Sequence, residues 1–324
     1  MKYVISTDRL TKVYGEKIKA VDAIDLKVSK GEIFGLLGPN GAGKTTTIGM
    51  LTTIIKPTDG SAEVNGYSII KDQDKVRKSI GIVFQDFSLD TILTGRENLE
   101  MSAQLYGLKR DETTKRIDEL LDLVDLKARA DSLVKTYSGG MKRRLELARG
   151  LLHKPVVLFL DEPTLGLDPQ SRDSIWKYIK NMAETERTTI MLTTHYMEEA
   201  DLMCDKIAII DHGKIIKEGT PDSLKRSLGG DIVYVKAPKI DVNALKKLSF
   251  VKDIQNKDGQ AKITVTNSSA NLAKLLSSIH NVKAVELRSP TLNDVFLEYT
   301  GRNIRDENGD GSWFEDVMRQ SQKR

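Results

Sequence analysis

Four short aliphatic runs punctuate the chain: Ile33 to Leu37, Ile80 to Phe84, Val156 to Leu160 and Thr189 to Thr194. Each is apolar almost throughout, with little polar alternation. Strands of a parallel sheet covered on both faces carry this pattern. Between the second and third runs the periodicity becomes helical. Glu97 to Tyr106 and Glu112 to Val124 are polar with apolar stripes, and Ile117, Leu120, Leu121 and Val124 recur at helical spacing. A helical block over about 95–153 is therefore predicted as an insertion into an α/β domain. Further on, Ile207 to Ile210 and Lys214 to Ile216 flank Asp211-His212-Gly213, a hairpin signal.

Near Gly219-Thr220-Pro221 the pattern changes again. Strands are predicted over Asp231 to Val235, Val251 to Ile254, Ala261 to Val265 and Val282 to Leu287, with helices over Val242 to Leu248 and Ala270 to Ile279. That order, β-α-β-β-α-β, is the split βαβ pattern. A closing helix follows from Leu292 to Tyr299, with Thr291 and Asp294 as a capping pair. Its face of Leu292, Val295, Phe296 and Tyr299 is too apolar to leave in water. Docking of this small domain on its own neighbour domain, or on a second copy of the chain, would cover it. The division predicted is thus a first domain over 1–220, a small α/β domain over 221–300, and a mobile polar tail over 301–324 that includes Trp313 and Phe314.

A length of 324 residues suits two domains. Lys+Arg 50 against Asp+Glu 46 leaves a net charge of +4, nearly balanced over this length. There is no concentrated basic face to bind nucleic acid and no polybasic run for lipid head groups. The one cysteine, Cys204, excludes a disulfide framework and a thiolate metal site, so a reducing compartment is expected. No run approaches the roughly 18 apolar residues of a membrane span, and the N-terminus lacks the apolar stretch of a signal peptide. A soluble chain is expected, with any membrane role reached through a partner.

Gly38-Pro39-Asn40-Gly41-Ala42-Gly43-Lys44-Thr45 matches the phosphate-loop pattern G-x-x-x-x-G-K-[ST]. The glycines let the backbone curl so that successive N–H groups point at phosphate oxygens. The helix that starts near Lys44 adds the positive end of its dipole. Lys44 supplies a point charge to the β- and γ-phosphates, and Thr45 offers a hydroxyl to Mg²⁺. Such a pattern arises by chance in about one chain in a hundred of this size. Here it also sits between a predicted strand and a helix, which favours the nucleotide. After a phosphate loop, an apolar strand ending in Asp161-Glu162 becomes informative. Asp161 would hold Mg²⁺ through water, and Glu162 would position and polarise the attacking water. An ordinary glutamate pKa near 4.3 makes a poor base, so orientation of the water counts as much as proton removal.

Tyr137-Ser138-Gly139-Gly140-Met141 precedes a helix with a Met141, Leu145, Ala148, Leu152 stripe. By itself this is an ordinary Ser138 N-cap with a flexible lead-in. Placed between a phosphate loop and the Asp161 strand, it resembles the Leu-Ser-Gly-Gly-Gln signature of the ATP-binding cassette family. The chain keeps the Ser-Gly-Gly core and departs at Tyr137 and Met141. The resemblance covers residues 1 to about 220. It implies a P-loop NTPase cassette: a mostly parallel core, an antiparallel β part and the inserted helical subdomain. It further implies that Gln85 is the Q-loop glutamine touching Mg²⁺ or the water, Asp168 belongs to the D-loop, His195 contacts the γ-phosphate, and Tyr14 stacks on adenine. Thr46, beside Thr45, joins the ATP-binding set. Ser138, Gly139 and Gly140 would act in trans, completing the phosphate site of a second copy in an ATP-dependent head-to-tail dimer.

Ser289-Pro290-Thr291-Leu292-Asn293-Asp294-Val295-Phe296-Leu297 followed by Thr300-Gly301-Arg302 is similar to the C-terminal region of the daunorubicin-resistance type, whose partners are exporter permeases. The implied activity is ATP hydrolysis, with Mg²⁺, driving a separate membrane permease that exports drugs, lipids or other hydrophobic compounds. The chain would lie in the cytoplasm, on the inner face of the membrane through that permease. The alternative is a soluble, non-transport ATPase of the same family acting on a macromolecular machine. Ribosome-directed relatives resemble two cassettes in one chain, chromosome-directed ones carry long coiled coils, and importer subunits add a β-rich barrel. None of these patterns occurs here.

Overall fold

The computed structural model describes residues 3–15, 17–257 and 260–300. The expected tail, 301–324 with Trp313 and Phe314, lies outside the described residues. Two compact units are present, one ending at Glu218 and one beginning at Gly219.

The first unit opens with β1 (Tyr3–Tyr14), β2 (Ile18–Ile24), β3 (Lys27–Ser29), β4 (Ile33–Leu37), α1 (Lys44–Leu51), β5 (Asp59–Val64) and β6 (Tyr67–Ser68). It continues with α2 (Gln73–Ser79), β7 (Ile80–Val83), α3 (Gly95–Leu105), α4 (Arg110–Leu123), α5 (Gly139–Leu151), β8 (Val157–Asp161) and α6 (Pro169–Glu186). It closes with β9 (Thr189–Thr194), α7 (Met197–Met203), β10 (Lys206–Asp211) and β11 (Lys214–Gly219). A six-stranded sheet has the order β11-β10-β4-β9-β8-β7, and its pairs from β10 to β7 are parallel. Every residue of β4, β8 and β9 is buried, which explains why their sequences do not alternate. The β10–β11 turn places both His212 (φ 45°) and Gly213 (φ 75°) in the left-handed region, as a two-residue hairpin of this kind requires.

An antiparallel sheet, β2-β1-β5-β6 with β3 also on β1, packs into the same core. Leu10, Val21 and Val64 from it meet Phe34, Leu36, Phe159 and Met191 of the parallel sheet, together with Ile48, Met50 and Leu51 of α1. Burial of those three α1 side chains stabilises by about 1.5–3 kcal/mol each, which anchors the helix that follows the phosphate loop. In the helical insertion, α3 begins with a reciprocal cap: Glu97 N donates to Thr94 Oγ1 at 3.1 Å and Thr94 N to Glu97 Oε2 at 2.7 Å. The expected apolar stripes are buried at Ile117, Leu120 and Leu121 of α4, and at Leu145, Ala148 and Leu152 along and just past α5.

The second unit contains α8 (Pro221–Arg226), β12 (Asp231–Lys236), α9 (Val242–Lys246), β13 (Val251–Lys257), β14 (Gln260–Val265), α10 (Ser268–Ser277), β15 (Ala284–Arg288) and α11 (Leu292–Thr300). Its antiparallel sheet has the order β13-β14-β12-β15, that of the split βαβ fold. Thr291 and Asp294 cap α11 as the sequence predicts: Thr291 N donates to Asp294 Oδ2 at 3.0 Å. Leu292, Val295 and Phe296 are buried and α11 packs on α8, within this unit. Three of the four stripe residues are thus covered by α8, which was not among the predicted helices, whereas Tyr299 stays 37% exposed. Asp294 also accepts from Arg288 Nη1 at 2.6 Å and Lys262 Nζ at 2.9 Å. Burial pushes its carboxyl up, but these donors outweigh burial and hold it well below the usual carboxylate range.

Candidate nucleotide site

The chain leaves β4 at Leu37 and turns through Gly38 to Gly43 into α1. Two of its glycines are demanded by close approach. A Cβ on Gly38 would stand 2.2 Å from the Ile210 carbonyl oxygen, and one on Gly43 (φ 106°) would stand 2.4 Å from that of Ala20. Neighbouring backbone also pins the loop: Gly38 N donates to Thr194 O at 3.3 Å and Gly213 N to Ala42 O at 3.0 Å. Pro39 and Ala42 are buried, whereas Asn40, Gly41 and Thr45 are exposed at the rim.

Lys44 is only 5% exposed. Its ammonium donates to Gly38 O at 2.8 Å and Pro39 O at 3.0 Å, and lies 3.1 Å from Glu162 Oε1. All three N–H donors are thereby engaged. Burial pulls this ammonium below its usual pKa, against the charge of Glu162.

The two acids sit where β8 ends. Asp161, fully buried, accepts from Thr193 Oγ1 at 2.6 Å and from Thr45 Oγ1 at 3.2 Å. Burial pushes its carboxyl up, and those two hydroxyls act in the opposite sense. Glu162 follows in the left-handed region, at φ 47°, a conformation that costs a non-glycine residue about 1–3 kcal/mol. Its N–H donates to Thr193 Oγ1 at 3.0 Å, and its Oε2 accepts from His195 Nδ1 at 2.9 Å. Burial raises the Glu162 carboxyl, but the hydrogen bond from His195 and the charge of Lys44 prevail and hold it below the usual value.

Lys44, Thr45, Asp161, Glu162 and His195 therefore form one hydrogen-bonded group at one end of the parallel sheet. Tyr14 reaches α1, its phenol sharing a side-chain hydrogen bond with Thr46. Gln85 is exposed, and its carbonyl accepts from Arg143 Nη2 at 2.7 Å. Ser138 caps α5, accepting from Met141 N at 3.2 Å, and Asp168 caps α6, accepting from Ser171 N at 3.0 Å. Among the described residues, no hydrogen bond joins the side chains of Gln85, Ser138 or Asp168, or the backbone of Gly139 or Gly140, to the Lys44–Asp161–Glu162 group. Two further residues hold the site together. Thr193 serves both acids, and Glu199 accepts from Thr164 Oγ1 at 2.7 Å and Thr194 Oγ1 at 3.1 Å, tying the segment after Glu162 to the one before His195. Only the position of Thr193, two residues before His195, could have flagged it in the sequence.

Thr45 Oγ1 at the rim and Oδ1 of the buried Asp161 are oxygens 3.2 Å apart. They suit a hard cation such as Mg²⁺, which takes one or two protein ligands and shares the rest of its shell with phosphates and water. The described residues hold no group of three or more His, Cys, Asp or Glu placed to cage a metal.

Residues 21–165 match the ABC transporter family, and residues 219–300 match the C-terminal domain of DrrA1-3-like ATP-binding proteins. The linearmycin resistance ATP-binding protein LnrL of Bacillus subtilis is 40% identical over 315 residues, 94% of this chain and 100% of LnrL. The daunorubicin/doxorubicin resistance ATP-binding protein DrrA of Streptomyces peucetius is 40% identical over 311 residues, 93% of this chain and 94% of DrrA. The dimeric structure of MJ0796, a bacterial ABC transporter cassette, superposes with a TM-score of 0.60 at 29% identity, over 67% of this chain and 98% of MJ0796.

Proposed function

The chain belongs to the ABC transporter family as an ATP-binding subunit, and from that premise we propose how its residues divide the work. It hydrolyses ATP and powers a separate permease. The observation that carries the assignment of roles is the hydrogen-bonded group of Lys44, Thr45, Asp161, Glu162 and His195.

ATP enters with adenine on Tyr14 and its phosphates against the amides from Gly38 to Thr46. Phosphate oxygens replace the Gly38 and Pro39 carbonyls and Glu162 as partners of Lys44, so the same event that binds ATP frees one carboxylate oxygen of Glu162. Mg²⁺ arriving with ATP would be held by Thr45 and Asp161, with Gln85 as a third contact, and would neutralise charge on the β- and γ-phosphates. Glu162 then orients the attacking water, and His195 keeps its hydrogen bond to Glu162 while reaching the γ-phosphate. Ser138, Gly139 and Gly140 at the start of α5 complete the site of a second copy in a head-to-tail dimer, with Asp168 at the same junction. The permease partner exports drugs, lipids or other hydrophobic compounds, a role supported by the likeness to linearmycin and daunorubicin/doxorubicin resistance subunits. No helix among the described residues is long and apolar enough to cross a membrane. The likeness to resistance ATP-binding subunits supports a place at the cytoplasmic face, reached through that permease.

Sedimentation of Glu162→Gln tests the scheme. With ATP and Mg²⁺ the variant should become a stable dimer, and without them a monomer. A monomer under both conditions at high protein concentration refutes it.

A further inference from the structure

The residues from Phe84 to Ser88, just past β7, are all exposed, yet the segment is held from beneath by α5. Arg143 is 1% exposed, and its guanidinium donates through Nη1 to Phe84 O at 2.6 Å and through Nη2 to Gln85 O at 2.7 Å. Glu146 is 0% exposed and accepts from Ser88 N at 2.7 Å and Ser88 Oγ at 3.2 Å. The two side chains pair at 3.1 Å. Arg149 Nη1 adds a bond to Ser88 O at 2.7 Å.

A buried ion pair is a poor source of stability, because desolvation consumes most of its attraction and an apolar pair of similar volume often does as well or better. An apolar pair cannot, however, fix two successive carbonyls in direction. The planar fork of a guanidinium can. The helix that carries Arg143 and Glu146 begins at Gly139, about one turn before Arg143, behind its Ser138 cap.

We propose that Arg143 and Glu146 form a buried clamp that makes Gln85 and the Ser138-Gly139-Gly140 loop move as one body. This rests on the head-to-tail dimer proposed above. In that dimer Gln85 serves its own nucleotide site, whereas Ser138-Gly139-Gly140 serves the partner's. The clamp therefore transmits occupancy of one site to the other. Neither residue touches nucleotide, so both are positioning residues.

The test uses the full chain with R143K, which keeps the charge and loses the fork, and with R143M/E146L, which replaces the pair by apolar side chains. Amide exchange at Ser88, ATP binding, turnover and the Hill coefficient for ATP are measured. In R143M/E146L, Ser88 should lose its protection, while the affinity of a single unpaired site for ATP stays near wild type. Its turnover should fall about tenfold, an ordinary size for coupling between sites, and the Hill coefficient should fall from above one to one. R143K should lie between. A folded R143M/E146L with wild-type Ser88 protection, turnover and Hill coefficient overturns the clamp. If R143M/E146L does not fold, R143K with wild-type turnover and Hill coefficient overturns it equally. Loss of Ser88 protection in R143M/E146L, in a chain whose unsubstituted form shows no ATP turnover, supports the clamp and counts instead against the dimeric site.

Discussion

Replacing Thr193 by valine removes one hydroxyl and keeps the shape of the side chain. That hydroxyl donates to Asp161 Oδ1 at 2.6 Å and accepts from Glu162 N at 3.0 Å. Thr193 is 0% and Asp161 2% exposed, so water cannot stand in for it. A hydrogen bond to a charged group contributes about 1.5–3 kcal/mol, and an orphaned buried amide costs about 1–3 kcal/mol. With some relaxation, Thr193→Val should lose about 3 kcal/mol of stability. The Asp161 carboxyl, already pushed up by burial, should rise further without its strongest opposing donor. Both acids then lose their fixed aim. If about half of the loss is also felt in the transition state, turnover falls roughly tenfold, since about 1.4 kcal/mol is one factor of ten. Urea unfolding and steady-state ATP hydrolysis measure the two effects on one preparation, with Thr193→Ser as the control that restores the hydroxyl and both quantities. A Thr193→Val chain that loses less than about 0.5 kcal/mol, the scatter of inert surface changes, and hydrolyses ATP at the wild-type rate refutes this account of the site.

Lys44→Ala should weaken ATP binding by about tenfold or more, because the γ-phosphate loses its cation; titration with a fluorescent ATP analogue reads this directly. Gly38→Ala should abolish binding in the same titration while circular dichroism stays native, because the new Cβ would stand 2.2 Å from the Ile210 carbonyl oxygen and the loop must shift off its phosphate-binding course to relieve the overlap. Asp294→Asn should cost the C-terminal unit about 3 kcal/mol by stranding Arg288 and Lys262, with ATP affinity unchanged. Because the native Asp294 carboxyl is held below its unfolded value, its stabilisation is complete above the unfolded pKa near 3.9 and is lost as pH falls further. Amide exchange over residues 219–300 at descending pH should show that loss in the wild type and not in Asp294→Asn.

What the sequence makes legible follows from how each element is buried. β4, β8 and β9 announce themselves because both faces are covered, leaving unbroken apolar runs such as Val157 to Leu160. The C-terminal strands and helices alternate with clear turn residues, so their order can be read directly. β1 is harder: it runs for 12 residues, shifts register on all three of its partner strands and carries Arg9 at φ 46°, which breaks the two-residue alternation. α6 buries Ile175, Trp176, Ile179 and Met182 within 18 mostly polar residues, a narrow stripe that is easily passed over. In the site, the loop and the acids carry spacing that physics demands. Glu199 and Arg143 carry none, and Thr193 only its place two residues before His195, because their importance lies in partners 31 or more residues away or on another element.

The central claim is that this chain hydrolyses ATP with Glu162 aiming the water at a site built on Lys44 and Asp161. Single-turnover release of labelled γ-phosphate, with wild type and Glu162→Gln at saturating ATP and Mg²⁺, tests it most directly. The account predicts that Glu162→Gln binds ATP but releases phosphate about a hundredfold more slowly or worse, the usual weight of a positioned acid–base group. Phosphate release by Glu162→Gln at the wild-type rate would contradict it.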